Sequence, residues 1–358
     1  MHKANLNRRD FVKMTTAAMV ASSIPGLVAA GVAPNNLGIS VWSYHLRNRR
    51  NGEGTAEYPL FKGGYDMAKH CHELGTGGSQ VLSMGWDAEY AKKMRTFKED
   101  TGSWLEGQVV LPKHEGEVDK FEQDLKMVKE GGIDIVRTAC LSGRRYVTFK
   151  TLEEWESFKK NSMKSMRLAE PIARRHKVKL AIENHKDWTA DEMVAILKHF
   201  DSEYLGCNLD TGNNISFMED PYEVVEKLAP YTFTTHFKDM GIEEYGDGFL
   251  LSEMPFGQGF LDLNRMAMVL RRSNPNIKIN LEMMTRDPLP IPYLTESYWT
   301  TFGDRLGKDL AKSIKLIKEN YASKPLPRTS DKSMGEQLAL EEANQIACLD
   351  FARKEMGL

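Results

Sequence analysis

The chain has 358 residues, with 48 Lys and Arg against 50 Asp and Glu and a formal net charge of −2. That length suits one large α/β domain; the charge balance excludes nucleic-acid binding through a broad basic face, and the composition is too polar for a multispanning membrane protein. Cys71, Cys140, Cys207 and Cys348 are far apart and form no CxxC pair, so idle thiols are expected rather than a disulfide framework or a cysteine zinc site.

Asn7-Arg8-Arg9-Asp10-Phe11-Val12-Lys13 precedes a mildly apolar stretch and then small residues through Ala33. A charged region, a short apolar region and a small-residue exit describe a cleavable export signal. Paired arginines followed by Asp-Phe-Val-Lys resemble the twin-arginine signal of bacteria. That resemblance implies handling by the twin-arginine translocase and a periplasmic mature protein. Ser22, Ser23, Pro25 and Gly26 disfavour the competing reading, an ordinary amphipathic helix. Residues 1–33 are therefore assigned to the leader, 34–324 to the folded domain and 325–358 to a helical tail.

From Asn36 onward, short apolar runs alternate with longer amphipathic stretches, the pattern of repeated βα units around a parallel sheet. Strands are predicted at 37–44, 79–84, 105–111, 133–140, 178–183, 205–210, 233–237 and 277–282. Helices are predicted at 63–75, 87–101, 117–130, 151–176, 189–200, 221–229, 262–273 and 305–322. Thr189, and Asp220 ahead of Pro221, suit N-caps. Eight strands each followed by a helix predict a closed (β/α)₈ TIM barrel with a C-terminal helical extension. The Gly-rich stretch 241–261 predicts a small hairpin, and 285–304, with its prolines and aromatics, an ordered loop. In the tail, Leu340, Ala343, Ala347 and Phe351 share a helical face, which predicts packing on the barrel wall or on another subunit of a homo-oligomer.

Four late strands each end an apolar run in a polar group: Glu183 in LAIENH, Asp210 in CNLDTGN, His236 in TTHFKD and Glu282 in INLEM. In a barrel all C-terminal strand ends converge on one mouth, so these residues are expected to meet there. Three carboxylates and an imidazole predict one divalent ion, Mn²⁺, Mg²⁺, Co²⁺ or Zn²⁺, rather than a soft metal. Singly, an acid at a strand end caps the next helix and a lone His packs; four at corresponding places argue for a site. Lys238, two residues beyond His236, shares its facing, and His185 shares that of Glu183. Lys238 is expected to donate to an oxyanion or hydroxyl, its competing reading being a capping surface lysine. His185 is expected to meet substrate or to support Glu183. Trp42, Trp86, Trp188 and Trp299 fall near strand ends or in late loops, where aromatics stack on sugar rings or simply pack.

The motifs IENH, LDTGN, THFKD, the GQG turn and LEM, spread over about residues 36–322, resemble the sugar phosphate isomerase/epimerase branch of the xylose isomerase-like barrels. The resemblance implies a single metal held by Glu183, Asp210, His236 and Glu282. It also implies that Glu183 and Glu282 move protons on opposite faces of a keto-sugar. Asn213 stands where the family's ketose 3-epimerases carry a substrate-contacting His, and no matching Arg follows His236. Lys238 is closer to the pattern of inosose dehydratase and hydroxypyruvate isomerase relatives. The expected activity is a metal-dependent keto-sugar isomerase or epimerase, with Glu183, Glu282 and Lys238 catalytic and His185, Asn213 and Trp42 on the substrate. Two alternatives are a dehydratase or lyase on 3-keto-glycosides or inosose-like substrates, and a non-catalytic sugar-binding barrel.

Overall fold

The strands of a parallel barrel have helices outside and one another's side chains inside, so they are buried on both sides. The described strands follow that rule, with β6 (Leu205–Asp210) buried at every position. The computed structural model describes residues 35–49 and 51–358, so the expected leader lies outside the described residues. The remaining barrel strands are β1 (Leu37–Ser40), β2 (Gly78–Leu82), β3 (Trp104–Gln108), β4 (Ile135–Thr138), β5 (Lys179–Glu183), β7 (Thr232–His236) and β10 (Ile279–Leu281). All neighbours pair in parallel in the order β10-β1-β2-β3-β4-β5-β6-β7. One bridge, Phe237 to Leu281, brings β7 back to β10, with Phe237 N–H donating to Asn280 O at 2.7 Å. The chain is thus a (β/α)₈ barrel, as the alternating pattern predicts.

Helices α1 (Gly64–Glu73), α2 (Ala88–Thr101), α3 (Val118–Glu130), α5 (Leu152–His176), α6 (Ala190–Phe200), α7 (Pro221–Leu228), α8 (Leu263–Ser273) and α10 (Gly307–Glu319) follow the eight barrel strands. Two short helices, α4 (Arg145–Thr148) and α9 (Glu296–Trp299), have no counterpart in the periodicity. Thr189 caps α6 in a full capping box with Glu192, and Asp220 caps α7 ahead of Pro221, as their positions predict.

The first predicted strand stops early. After Ser40 the chain turns into a 3₁₀ segment, Val41–Tyr44, whose entry is capped by Ser40 Oγ accepting from Trp42 N–H. This turn sends Trp42 and Ser43 over the mouth. Stretch 241–261 does form a hairpin, β8 (Asp239–Tyr245) with β9 (Gly248–Met254), and stretch 285–304 adds β11 (Leu289–Ile291) antiparallel to β9. The GQG turn is wrapped around Asp239, whose carboxylate accepts from the N–H groups of Gly257, Gly259 and Leu261. A Cβ at residue 259 would lie 2.1 Å from Asp239 Oδ1, so the close approach requires glycine.

The tail forms α11 (Met334–Glu355), but it turns a different face inward than the apolar pattern predicts. Leu338, Glu341, Glu342, Gln345, Cys348, Leu349 and Ala352 are buried, while Ala343 is exposed and Leu340, Ala347 and Phe351 are only half-buried. The cause is hydrogen bonding. Glu341 accepts from the N–H groups of Leu46 and Arg47 at 2.7 and 3.3 Å, and Glu342 pairs with Arg47 at 2.9 Å and His70 at 3.0 Å. Gln345 Nε2 donates to Ser43 O and Met283 O, tying the chain after β1 to the chain after β10. The helix therefore staples the mouth through polar groups that satisfy backbone left unpaired by the 3₁₀ turn. Replacing Glu341 by Leu should cost about 1–3 kcal/mol in urea unfolding, because two buried N–H groups lose their acceptor. Glu341→Gln, which keeps an acceptor, should cost clearly less.

Candidate metal and catalytic centre

The C-terminal ends of β5, β6 and β7 and the residue after β10 bring Glu183, Asp210, His236 and Glu282 together, with exposures of 1%, 0%, 0% and 3%. One donor atom from each lies within 4.8 Å of every other. Two ligands on opposite sides of a shared ion stand about 4.0–4.6 Å apart, so the set closes on one ion with little movement. Asp210 Oδ2, His236 Nδ1 and Glu282 Oε2 are buried without an aligned hydrogen bond, their close polar neighbours being the Lys238 ammonium and one another. Buried polar atoms are otherwise almost always satisfied, and three such atoms converging from separate strands fit a divalent cation.

His236 turns Nδ1 to this centre, 3.4 Å from Glu183 Oε2 and 3.3 Å from Glu282 Oε2. Its Nε2 lies 2.7 Å from Gln80 Oε1 and 3.2 Å from Ser40 Oγ. A proton on Nε2, donated to Gln80, leaves the Nδ1 lone pair for a metal. Gln80 is itself held from below: its Nε2 donates to Glu106, which also accepts from Thr234 at 2.6 Å and Asn280 at 2.9 Å. Burial raises the Glu106 carboxyl above its ordinary range.

The charges around the centre are unevenly shared. Glu183 would be pushed up by burial, but Arg137 on β4, then His236, hold it well below the usual carboxylate range. Arg137 Nε reaches Glu183 Oε2 at 2.5 Å and its Nη2 contacts the same oxygen. Glu253, from the hairpin, is paired with Arg286 at 2.6 Å. Asp210 and Glu282 share Lys238, whose Nζ lies 3.0 Å from Asp210 Oδ2 and 2.8 Å from Glu282 Oε2. Burial lifts Asp210 to about 6, and the flanking carboxylates outweigh burial to raise Lys238. In the metal-free protein the two glutamates likewise outweigh burial to lift His236 to about 9.

Above the centre opens a cavity of about 610 Å³, lined in part by Trp42, His185, Lys238 and Glu282. Of the expected substrate contacts, Trp42 and His185 therefore face the cavity. His185 is held neutral, its pKa pressed by burial to about 3. Asn213 lies elsewhere. It donates to Glu183 Oε1 at 3.1 Å and accepts from Lys186 at 2.5 Å and Lys238 at 3.3 Å, so it orients the carboxylate from behind rather than lining the cavity. Trp188 is buried against Trp155 and Phe158, and Trp86 packs in the core. Sequence reasoning passed over Arg137, Gln80, Lys186, Glu253 and Arg286. Arg137 was within reach, as a charged residue inside the apolar IVRT strand; the hairpin pair carried no periodic signal.

With this geometry established, comparison with known proteins places the chain in a family. Residues 69–318 match the family described as xylose isomerase-like TIM barrel. The chain belongs to that family. It is 29% identical over 114 residues to 3-oxo-isoapionate decarboxylase of Pectobacterium atrosepticum, a stretch that spans 31% of this chain and only 42% of that relative. Among solved structures, D-psicose 3-epimerase with D-tagatose from Clostridium cellulolyticum H10 superposes with a TM-score of 0.58 at 13% identity, covering 89% of this chain and 99% of that one. The IolI protein with a binding zinc atom superposes at 0.50 and 16% identity, covering 80% and 99%.

Metal analysis of protein purified without chelator should find one divalent ion per chain, lost in Asp210→Asn or His236→Ala. Gln80→Leu, which removes only the partner of the distal imidazole nitrogen, should weaken metal binding about 10–100-fold. Unchanged affinity in Gln80→Leu would mean that His236 is not a ligand through Nδ1.

Proposed function

We propose that this barrel is a metal-dependent keto-sugar isomerase or epimerase that abstracts the proton next to a carbonyl. The observation that carries the reading is the pairing of Glu183 and Glu282, two buried carboxylates on non-neighbouring strands that approach the same imidazole nitrogen at 3.4 and 3.3 Å beneath one cavity. When bound, a divalent ion supplies Lewis-acid stabilisation of the negative charge that develops on substrate oxygens.

The side chains divide the remaining work. Glu183 stays ionised under the influence of Arg137 and is aimed by Asn213, so it is the proton acceptor. Glu282, which His236 and Lys238 hold ionised against its burial, takes up a proton from water and returns it from the other side. Return to the opposite face of the same carbon gives epimerisation, and return to the neighbouring carbon gives isomerisation. Lys238 remains an ammonium and a hydrogen-bond donor to a developing oxyanion. Membership of the family and the fold shared with an epimerase support an enzyme of this type. The partial likeness to a decarboxylase favours a second reading, a lyase in which the same proton abstraction is followed by expulsion of a leaving group from the carbon β to the carbonyl.

Incubation with a panel of ketoses and 3-keto-glycosides in D₂O, followed by NMR, tests the reading. Deuterium should enter at the carbon next to the carbonyl. For an epimerase, Glu282→Gln should lose turnover yet retain exchange, whereas Glu183→Gln should abolish both. Near-wild-type turnover in both variants, with metal retained, would remove both carboxylates from the mechanism.

We also propose that the Arg8-Arg9 leader directs export by the twin-arginine route to the periplasm, with the barrel acting on sugars there. Replacing Arg8 and Arg9 together by Lys should hold the precursor in the cytoplasm. Undiminished periplasmic recovery of that variant would dispose of the proposal.

A further inference from the structure

The cavity over the centre holds more cationic groups than its carboxylates require. Arg137, Arg286 and Lys238 each have carboxylate partners within 4.0 Å. Arg144 and Lys186 line the same cavity and, among the described residues, neither is in an ion pair. Lys186 is only 4% exposed. Among the described residues, the carboxamide oxygen of Asn213 is the one hydrogen-bond acceptor of its ammonium. The Nη1 of Arg144 is buried without an aligned hydrogen bond, and its guanidinium lies 5.9 Å from the Tyr146 ring centroid with no carboxylate of the described residues beside it. A buried ammonium without an anion is costly; burial presses the Lys186 pKa down to about 8, and an anion from outside the chain would relieve that cost.

The chain segments that carry the two groups are also held together by construction. Arg145 N–H donates to Lys186 O at 2.8 Å, and Leu141 N–H donates to Asp187 Oδ2 at 3.2 Å, so the loop after β4 is laced to the chain after β5. Arg145 anchors that lacing. Its guanidinium lies 3.6 Å from the Trp155 ring centroid, pairs with Glu192 at 2.7 Å and donates to Thr301 O at 2.6 Å. Arg144 and Lys186 therefore stand on a fixed part of the rim, on the β4–β5 side, next to His185 in the cavity wall.

We propose that Arg144 and Lys186 form an anion-binding subsite that takes a carboxylate of the substrate, so that the substrate class is keto-sugar acids rather than neutral ketoses. This rests on the reaction proposed above for the same cavity and narrows its substrate. A planar carboxylate offers two oxygens, one for the guanidinium and one for the ammonium. Its sugar carbons would then extend across the cavity toward Glu183 and Glu282. A phosphate ester shares the sign of the charge and is the competing ligand that the titration separates.

Calorimetric titration of the full chain with D-gluconate, D-glucitol and D-glucitol 6-phosphate tests the assignment, with Mn²⁺-loaded and EDTA-treated protein run in parallel. D-Gluconate should bind about tenfold more tightly than D-glucitol, with and without metal, as charge-assisted hydrogen bonds require. Arg144→Gln should remove most of that preference while leaving D-glucitol affinity unchanged, and Lys186→Met should remove it too, with D-glucitol affinity lowered only as far as the loss of its support to Asn213 behind Glu183 dictates. Equal affinities for the acid and the polyol would overturn the subsite. So would a preference that survives both substitutions and disappears with EDTA, since the carboxylate would then sit on the metal. Tighter binding of the phosphate ester than of gluconate would overturn the carboxylate assignment. The D₂O exchange assay reads the reaction separately: exchange on neutral ketoses without any carboxylate preference keeps the reaction and refutes the subsite, and a carboxylate preference without exchange does the reverse.

Discussion

Four carboxylates buried at one end of a barrel repel one another, and the mouth of this protein is organised around relieving that repulsion. Glu183, Asp210, Glu253 and Glu282 each lose the water that would solvate them. Ionised carboxylates do not stay buried without partners. Two of them have guanidinium groups of their own, Glu183 with Arg137 and Glu253 with Arg286. Asp210 and Glu282 share one ammonium, with Glu282 also facing His236 Nδ1, and their inward oxygens remain without aligned donors. The shortfall in positive charge lies at the place where His236 Nδ1 points, which makes a divalent cation the natural complement of the set.

The layers beneath follow from that demand. Barrel interiors are usually filled with branched apolar side chains, yet here Gln80, Glu106, Asn208, Thr234 and Asn280 occupy the floor under His236. Their hydrogen bonds fix the imidazole tautomer, and the tautomer decides whether Nδ1 offers a lone pair or a proton. The staple formed by α11 acts from above: Gln345 joins Ser43 to Met283, the neighbours in sequence of Trp42 and Glu282. A helix remote in sequence thus sets the spacing between the first and last strands at the level where the cavity opens.

What the sequence revealed and concealed follows the same physics. The eight strands were legible because each is an apolar run between turn-forming residues, and the four donors because each ends such a run at a corresponding position. Lys238 was legible by the period of two from His236. Arg137 was harder, since a single arginine in a four-residue strand has no periodic companion. Asn213 was visible as a departure from a family pattern but not as a support behind Glu183, because its role depends on contacts with residues 30 and 27 positions away. The inward face of α11 was misread for a definite reason. A hydrophobic pattern counts Glu341 and Glu342 as solvent-facing, and nothing local in the sequence shows that the unpaired amides of Leu46 and Arg47 lie across from them, 295 and 294 residues away.

The charge balance of the cavity also links metal to substrate. The exposed Lys113 aside, Arg137, Arg144, Lys186, Lys238 and Arg286 line the cavity above four carboxylates, an excess of one positive charge when His236 is neutral. A divalent ion raises the excess to three, in a site shielded from bulk water where such charges interact strongly. That field disfavours a neutral cation-free ligand only weakly, but it strongly favours one that brings negative charge or develops it during reaction. Proton abstraction next to a carbonyl does the second, and an acid function does the first. The unpaired cations on the β4–β5 rim and the metal-seeking carboxylates at the ends of β5, β6 and β10 are therefore two parts of one electrostatic arrangement. The rim draws in and orients charge that the substrate already carries, and the centre below stabilises charge that appears only as the proton leaves.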